Sequence, residues 1–254
     1  MQYFVADFGM NMYEGGLFDL ENRLENIKKL GFNGLERLEA SSTEEAVCNA
    51  VTFRRMGLDF CTTRGVKAEQ GFAWTAAFGK DYVWLRTRES GRGKISLDNF
   101  IHHSKCYAAA ATKYGLKSVL HNHLGSAVES ESELDYFMEK CPEIYLLLDI
   151  GHLAGAFGDV IRVLEKYYDR IIAIHFKDVY IKDENAGLDH WHDRLRFCEL
   201  GGSNKPGIVP WQEVAEILKK RNYAHKIMIE QDTHLREPLD DLKISIERLK
   251  NIME

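Results

Sequence analysis

The chain has 254 residues, 45% hydrophobic and 28% charged, and its 33 Lys+Arg against 39 Asp+Glu give a net charge of −6. That composition excludes disordered and fibrous classes, and an acidic chain without a basic cluster is a poor nucleic-acid binder. No apolar run approaches the roughly 18 residues of a membrane span. The opening MQYFVADFGM lacks the basic start and apolar stretch of a signal peptide, and the scattered cysteines Cys48, Cys61, Cys106, Cys141 and Cys198 form no CxxC pair. They read as reduced thiols, and the expected location is cytoplasmic.

Short apolar runs alternate with longer amphipathic ones along the whole chain. In order, the pattern predicts a strand at 3–7, a helix at 17–30, a strand at 34–38, a weaker helix at 42–56, and a strand at 57–61. A second weak helix at 65–80 precedes a strand at 82–86. The alanine-rich 99–114 stops before Gly115 and reads as a helix. Then come a strand at 118–123, a helix at 132–140, a strand at 144–149, a helix at 159–168 and a strand at 171–175. The longest connection, 179–207, follows, with a helix at 210–221, a strand at 226–230 and a helix at 239–253.

Eight buried strands and about eight helices in this length are the arithmetic of one α/β domain over 1–254, a single (β/α)8 TIM barrel. A doubly wound open sheet is the rival. Its usual glycine-rich first turn is missing, because the first strand runs into DFGMNMYEGG without GxGxxG spacing.

In a barrel the site lies at the C-terminal ends of the strands. The last four strands end in polar groups there: His121-Asn122-His123, Asp149 followed by Ile150-Gly151-His152, His175-Phe176-Lys177-Asp178, and Glu230. Taken alone, Asp149 reads as a helix N-cap, His175 as a hydrogen-bonded core residue and Glu230-Gln231-Asp232 as a solvated loop. Taken together at consecutive strand ends, they point to one shared site. Carboxylate oxygens with imidazole nitrogens suit Mn²⁺, Mg²⁺, Co²⁺ or Zn²⁺.

LDIGH, followed 26 positions after its Asp by HFKD and then by IMIE, resembles the sugar phosphate isomerase/epimerase superfamily with the xylose-isomerase-like barrel. The resemblance runs over about residues 118–232. HNHLGSAVE and RFCELGG…VPW are most similar to the inosose-dehydratase-like branch. It implies one divalent ion, most often Mn²⁺, at the barrel mouth, with Asp149, His175 and Glu230 as ligands and His152 touching substrate. Many members add a glutamate from strand five. Here that strand carries His121 and His123, two apart and so on one face. One takes the ligand place and the other faces substrate: His121 is assigned to the metal and His123 to catalysis, with the converse open and Glu129 kept as a further ligand candidate.

Other residues carry further readings. Lys177 neutralises a developing oxyanion or pairs with a carboxylate. Glu36 binds sugar hydroxyls, and Glu39 does the same or faces solvent. Arg86 and Arg88 hold a phosphate or polar substrate, or form surface salt bridges. Phe8, Trp74 and Trp191 wall a sugar ring or pack in the core. Loop 179–207 is placed to act as a lid, and its His190 and His192 lack a partner for a second metal site.

A bound divalent ion polarises a carbonyl and acidifies the neighbouring C–H, which a base then removes. Glu230 is one candidate base. Reprotonation of the enolate gives an isomer or epimer, and loss of a β-substituent gives a lyase. A histidine–glutamate site suits elimination. The expected enzyme is therefore a metal-dependent lyase on a keto-sugar or keto-cyclitol, inosose-dehydratase-like or cleaving a 3-keto-glycoside or C-glycoside. The runner-up is a sugar (phosphate) isomerase or epimerase, and a non-catalytic sugar-binding subunit is third. Three-metal DNA-repair endonucleases of this superfamily need more ligands and a basic face. The expected partner is a small molecule, with neither nucleic acid nor membrane, in a homo-oligomer or a hetero-subunit.

Overall fold

The structure, a computed structural model, describes residues 1–6, 10, 19–86, 90–232 and 236–254; Phe8 and Arg88 lie outside them. Eight parallel strands form the barrel: β1 (Tyr3–Ala6), β2 (Gly34–Glu39), β3 (Asp59–Arg64), β4 (Tyr82–Trp84), β5 (Lys117–His121), β6 (Tyr145–Asp149), β7 (Ile171–Phe176) and, last in the chain, β10 (Lys226–Glu230). Their order is β3-β2-β1-β10-β7-β6-β5-β4, so the barrel is nearly closed, and β3 and β4 are its two unpaired edges. The connection between β7 and β10 folds an antiparallel hairpin of its own, β8 (Asp178–Ile181) with β9 (Leu195–Cys198).

The helices α1 (Leu20–Lys29), α2 (Thr43–Met56), α3 (Ala68–Ala77), α4 (Leu97–Thr112), α5 (Glu131–Lys140), α6 (Ile150–Gly155), α7 (Val160–Tyr167), α8 (Trp191–Arg194), α9 (Trp211–Lys220) and α10 (Pro238–Met253) connect the strands. Side chains set many of their starts. Asp19, Ser42, Ser96, Ser130 and Asp159 each accept a backbone N–H in the first turn, which satisfies donors the helix leaves orphaned. The expected strand at 57–61 begins two residues later. Gly57 closes α2 in the left-handed region (φ 69°), where glycine is the residue without a steric penalty.

Alternation along the strands sorts residues into two environments. Leu35, Phe60, Leu120, Leu148 and Ile229 pack outward against the helices. Phe4, Cys61, Tyr82, Val119, Leu147, Ala173 and Met228 fill the inside of the barrel. Two residues further along, the same inward face presents Trp84, His121, Asp149, His175 and Glu230. The polar cluster is therefore the next inward layer above an apolar plug, and it is aimed by strand parity.

Candidate active site

Asp149 serves two elements at once. Its Oδ1 accepts the His152 amide at 2.7 Å and starts α6. Its Oδ2 faces His121 Nε2 at 3.2 Å, His175 Nδ1 at 3.3 Å and Lys177 Nζ at 3.0 Å. The cap and ligand readings of this residue are thus both realised, one per oxygen. Asn122 fixes the backbone beneath it: its Oδ1 accepts the Asp149 amide and its Nδ2 donates to the Asp149 carbonyl, both at 2.9 Å.

His175 is fully buried between carboxylates. Its Nε2 donates to Glu36 Oε1 at 3.1 Å, and its Nδ1 faces Glu230 Oε2 at 2.9 Å. Glu36 also accepts the Trp84 indole N–H at 3.1 Å. A carboxylate on the outer nitrogen of a histidine fixes which nitrogen is turned into a site, and here that nitrogen is Nδ1. Burial alone would lower the His175 pKa, but Glu36 and Glu230 raise it well above the usual value.

Lys177, without exposed surface, sits at the centre of the cluster. Its ammonium lies 2.5 Å from Glu230 Oε2, 2.7 Å from Asp232 Oδ2, 3.0 Å from Asp149 Oδ2 and 3.0 Å from His152 Nε2. Its three N–H groups have more acceptors than they can serve, so its influence on the site is through charge. Gly151 makes room for it: a Cβ there would fall 2.2 Å from Lys177 Cγ. The glycine of LDIGH is a space requirement.

Burial raises the Asp149 and Glu230 carboxyls, but Lys177 beside them, with His152 at Asp149 and His175 at Glu230, holds both well below the ordinary range. Burial pushes Asp232 up. Burial likewise lowers His121 to about 4 and, with Lys177, takes His152 well below its usual value. Both imidazoles are neutral near pH 7, the state a metal ligand needs.

His121, Asp149, His152 and Glu230 each offer a ligand atom, and these atoms all lie within 4.8 Å of one another. The donor set fits a divalent cation. Glu36, Asp149, Glu230 and Asp232 bring four carboxylates, buried or nearly so, against Lys177 and a His175 whose pKa these carboxylates raise, and the buried negative charge that remains calls for further positive charge. Of the expected ligands, His121, Asp149 and Glu230 are in this group; His175 is not, its Nδ1 lying instead 3.3 Å from Asp149 Oδ2 and 2.9 Å from Glu230 Oε2. His152, expected at substrate, also comes within ligand reach.

His123 sits just past the end of β5. Its Nδ1 donates to the Leu124 carbonyl at 2.5 Å, and its ring lies against that of His152 with centroids 3.7 Å apart and planes tilted by 41°. That hydrogen bond places the proton on Nδ1 and leaves Nε2 as an acceptor. Trp191, from the β8–β9 hairpin, approaches His123 and His152 with centroids 6.5 Å away, so it is at the site.

The residues with open readings fall as follows. Glu36 binds His175 and Trp84, and Glu39 is exposed at the Arg64 and Arg37 guanidiniums. Glu129 faces Arg92 and the Gly125 amide, away from the cluster. Trp74 lies in the outer core with its indole on Thr43. Arg86 donates to the Gly65 carbonyl. Beside Trp191, the aromatic residue at the cluster is Trp84, whose ring centroid is 4.6 Å from that of His121 and 5.6 Å from that of His175. Trp84 and Asp232 are not singled out by the sequence pattern of polar strand ends, although each lies two residues beyond an inward-facing position and the same parity marks it.

Residues 67–252 match the family described as xylose isomerase-like TIM barrel. The chain belongs to that family. Among curated relatives it is 34% identical to an inosose dehydratase of Bacillus licheniformis over 51% of this chain and 45% of that protein. The chain spans about half the length of the curated relatives it matches. Among solved structures it superposes on an L-ribulose 3-epimerase with a TM-score of 0.72 at 13% identity, covering 99% of this chain and 94% of the other. A xylose isomerase-like TIM barrel protein of Mycobacterium smegmatis in complex with magnesium gives a TM-score of 0.68 at 12% identity, covering 100% and 96%. At these identities the two structures speak to the fold.

Proposed function

We propose that the chain is a divalent-metal-dependent lyase that removes the elements of water, or another β-substituent, from a keto-cyclitol or keto-sugar. The observation that carries this reading is the buried carboxylate excess at the barrel mouth, with imidazoles on two sides of it. Mn²⁺ is the proposed ion, held by His121, Asp149, His175 and Glu230. When bound, it would supply Lewis-acid polarisation of the substrate carbonyl. The resemblance to inosose dehydratases and the magnesium in a fold neighbour support this choice of chemistry and ion class.

The chain's own residues supply the rest. His123 Nε2, with its lone pair free of the Leu124 contact, takes the proton from the carbon next to the carbonyl. Charge then develops on the carbonyl oxygen, and Lys177 stabilises it through the field it sets up in a buried site. The electron pair returns to expel the β-hydroxyl. The imidazolium of His123 gives its proton to that oxygen, so water leaves and His123 is neutral again. His152, whose ring lies against that of His123 with centroids 3.7 Å apart, keeps the ring in place. Glu230, drawn to Lys177 and His175, serves as ligand.

The same enolate reprotonated from the other face would give an epimer. One experiment separates the two outcomes. The Mn²⁺-loaded protein is incubated with inososes and ketoses in D2O. An unsaturated product lacking water is expected. Deuterium entering substrate without elimination would replace the lyase reading by an epimerase, and no exchange with any keto substrate would end both.

A further inference from the structure

The one unpaired seam of the barrel opens into a cavity of about 310 Å³. Low in the seam, Thr62 Oγ1 donates to the Tyr82 carbonyl at 2.7 Å and holds β3 to β4. Higher up, Arg86 reaches across to the Gly65 carbonyl, and the gap between the strand ends is the cavity. Its walls carry Arg37, Arg64, Lys67 and Arg86 with Trp84 and Tyr107, and no carboxylate is among the described residues that line it.

This concentration of positive charge runs against a chain whose net charge is −6. The exposed carboxylate of Glu39 lies 3.6 Å from Arg37 and 3.5 Å from Arg64. Among the described residues, Lys67 and Arg86 have no carboxylate within ion-pair distance. The Tyr107 hydroxyl in the wall is raised to about 12 by burial, with Arg86 and Arg64 pulling it back, so both guanidiniums bear on it. Like charges gathered around a concavity repel unless an anion joins them, and guanidinium forks match the paired oxygens of carboxylate and phosphate. The volume falls within the range of small-molecule sites.

Trp84 is the partition between this cavity and the candidate metal site. Its ring flanks His121 and His175 on the barrel side, its indole is bound by Glu36, and the Arg37 guanidinium lies 4.6 Å over its centroid. We propose that the β3–β4 seam is an anion site, which takes the carboxylate or phosphate arm of the substrate while the keto carbon lies at the metal cluster. The anion site stands on the geometry of the seam; the assignment of its occupant to the substrate rests on the lyase reading.

The test begins with binding. Inorganic phosphate and acetate are titrated separately into the chelator-treated full chain by calorimetry. Saturable binding of at least one is expected, and which binds tighter identifies the arm. Arg64→Gln with Lys67→Gln removes two cations from exposed positions and should weaken binding by about tenfold for each charge removed. If the double variant does not fold, Lys67→Gln alone gives the same reading at about tenfold. Absence of saturable binding, or binding unchanged in the variants, overturns the site. Turnover then separates the two claims. Anion binding with no reaction on any keto substrate leaves the site and removes the lyase. Turnover of a neutral keto-cyclitol, with a KM indifferent to the variants and better than that of acidic analogues, removes the substrate arm and leaves the lyase.

Discussion

The two oxygens of Asp149 can be separated by substitution. Asparagine keeps a carbonyl oxygen for the His152 amide and loses the charge facing His121, His175 and Lys177. Asp149→Asn should therefore abolish Mn²⁺ binding and retain the cap of α6. Asp149→Ala loses both, and should be less stable than the Asn variant by about 1 kcal/mol, the usual worth of an N-cap. Calorimetric metal titration and thermal melts of the two variants check this; equal stabilities would mean the cap carries nothing. Glu36 acts one step further out. It touches His175 Nε2 and the Trp84 indole, so it sets the tautomer and tilt of a ligand. Glu36→Ala should weaken Mn²⁺ binding by about 10–100-fold, as loss of such a supporting partner does. Glu36→Gln should recover part of that, because its amide oxygen can still accept the Nε2 proton. Unchanged affinity in the alanine variant would refute the positioning role.

Pairs of elements are joined by networks that can be tested without touching the site. Asp135 on α5 accepts Tyr167 Oη at 2.7 Å and Arg162 Nη2 at 2.8 Å, and lies 3.1 Å from Lys166 Nζ, all from α7. Burial raises its pKa, but Tyr167, Lys166 and Arg162 bring the balance below the ordinary value. A carboxyl depressed in the folded state stabilises it above the unfolded pKa, near 3.9, and loses that contribution as pH falls through the folded value. Asp135→Asn should cost roughly 0.5–1 kcal/mol at pH 7, since the network is partly solvated. The gap to wild type should close below about pH 4; a gap constant from pH 7 to pH 3 would contradict the assignment. Elements of this kind are legible in the sequence because apolar periodicity and Ser or Asp caps are local signals. The eight barrel strands lie within a few residues of the periodic runs, and the weak helix expectations at 42–56 and 65–80 correspond to α2 and α3. The β8–β9 hairpin and α6 are not foreseen by the pattern. The hairpin lies in a segment that reads as one long loop, and α6 is six residues started by a side chain that also reads as a ligand. The site is legible where a strand ends in a charged residue. It is not legible where the partner is supplied from across the barrel, as with Glu36 on His175 over 139 positions of sequence.

The whole barrel is coupled through the cluster. Glu36 comes from β2, Trp84 from β4, His121 from β5, Asp149 from β6, His175 from β7 and Glu230 from β10, so six of the eight strands meet there. No helix among the described residues is long and apolar enough to cross a membrane, and the barrel's stability rests on its packed interior and on this polar layer above it. An ion bound to the folded barrel but not to the unfolded chain stabilises by RT ln(1 + [L]/Kd), about 2.7 kcal/mol at a hundredfold excess over Kd. For a chain of this size that corresponds to a rise in Tm of roughly 5–10 °C. Mn²⁺ added to the chelator-treated protein should raise Tm by that amount, and the rise should grow with the logarithm of free metal once the site is saturated. The Asp149→Asn variant should show none of it. A seam variant such as Thr62→Val, which loses the hydroxyl bound to the Tyr82 carbonyl, should melt lower by a constant margin with and without metal, because β3 supplies no ligand. If instead the Mn²⁺ increment survives in Asp149→Asn, the ion is held elsewhere on the barrel and the cluster is a salt-bridged core around Lys177.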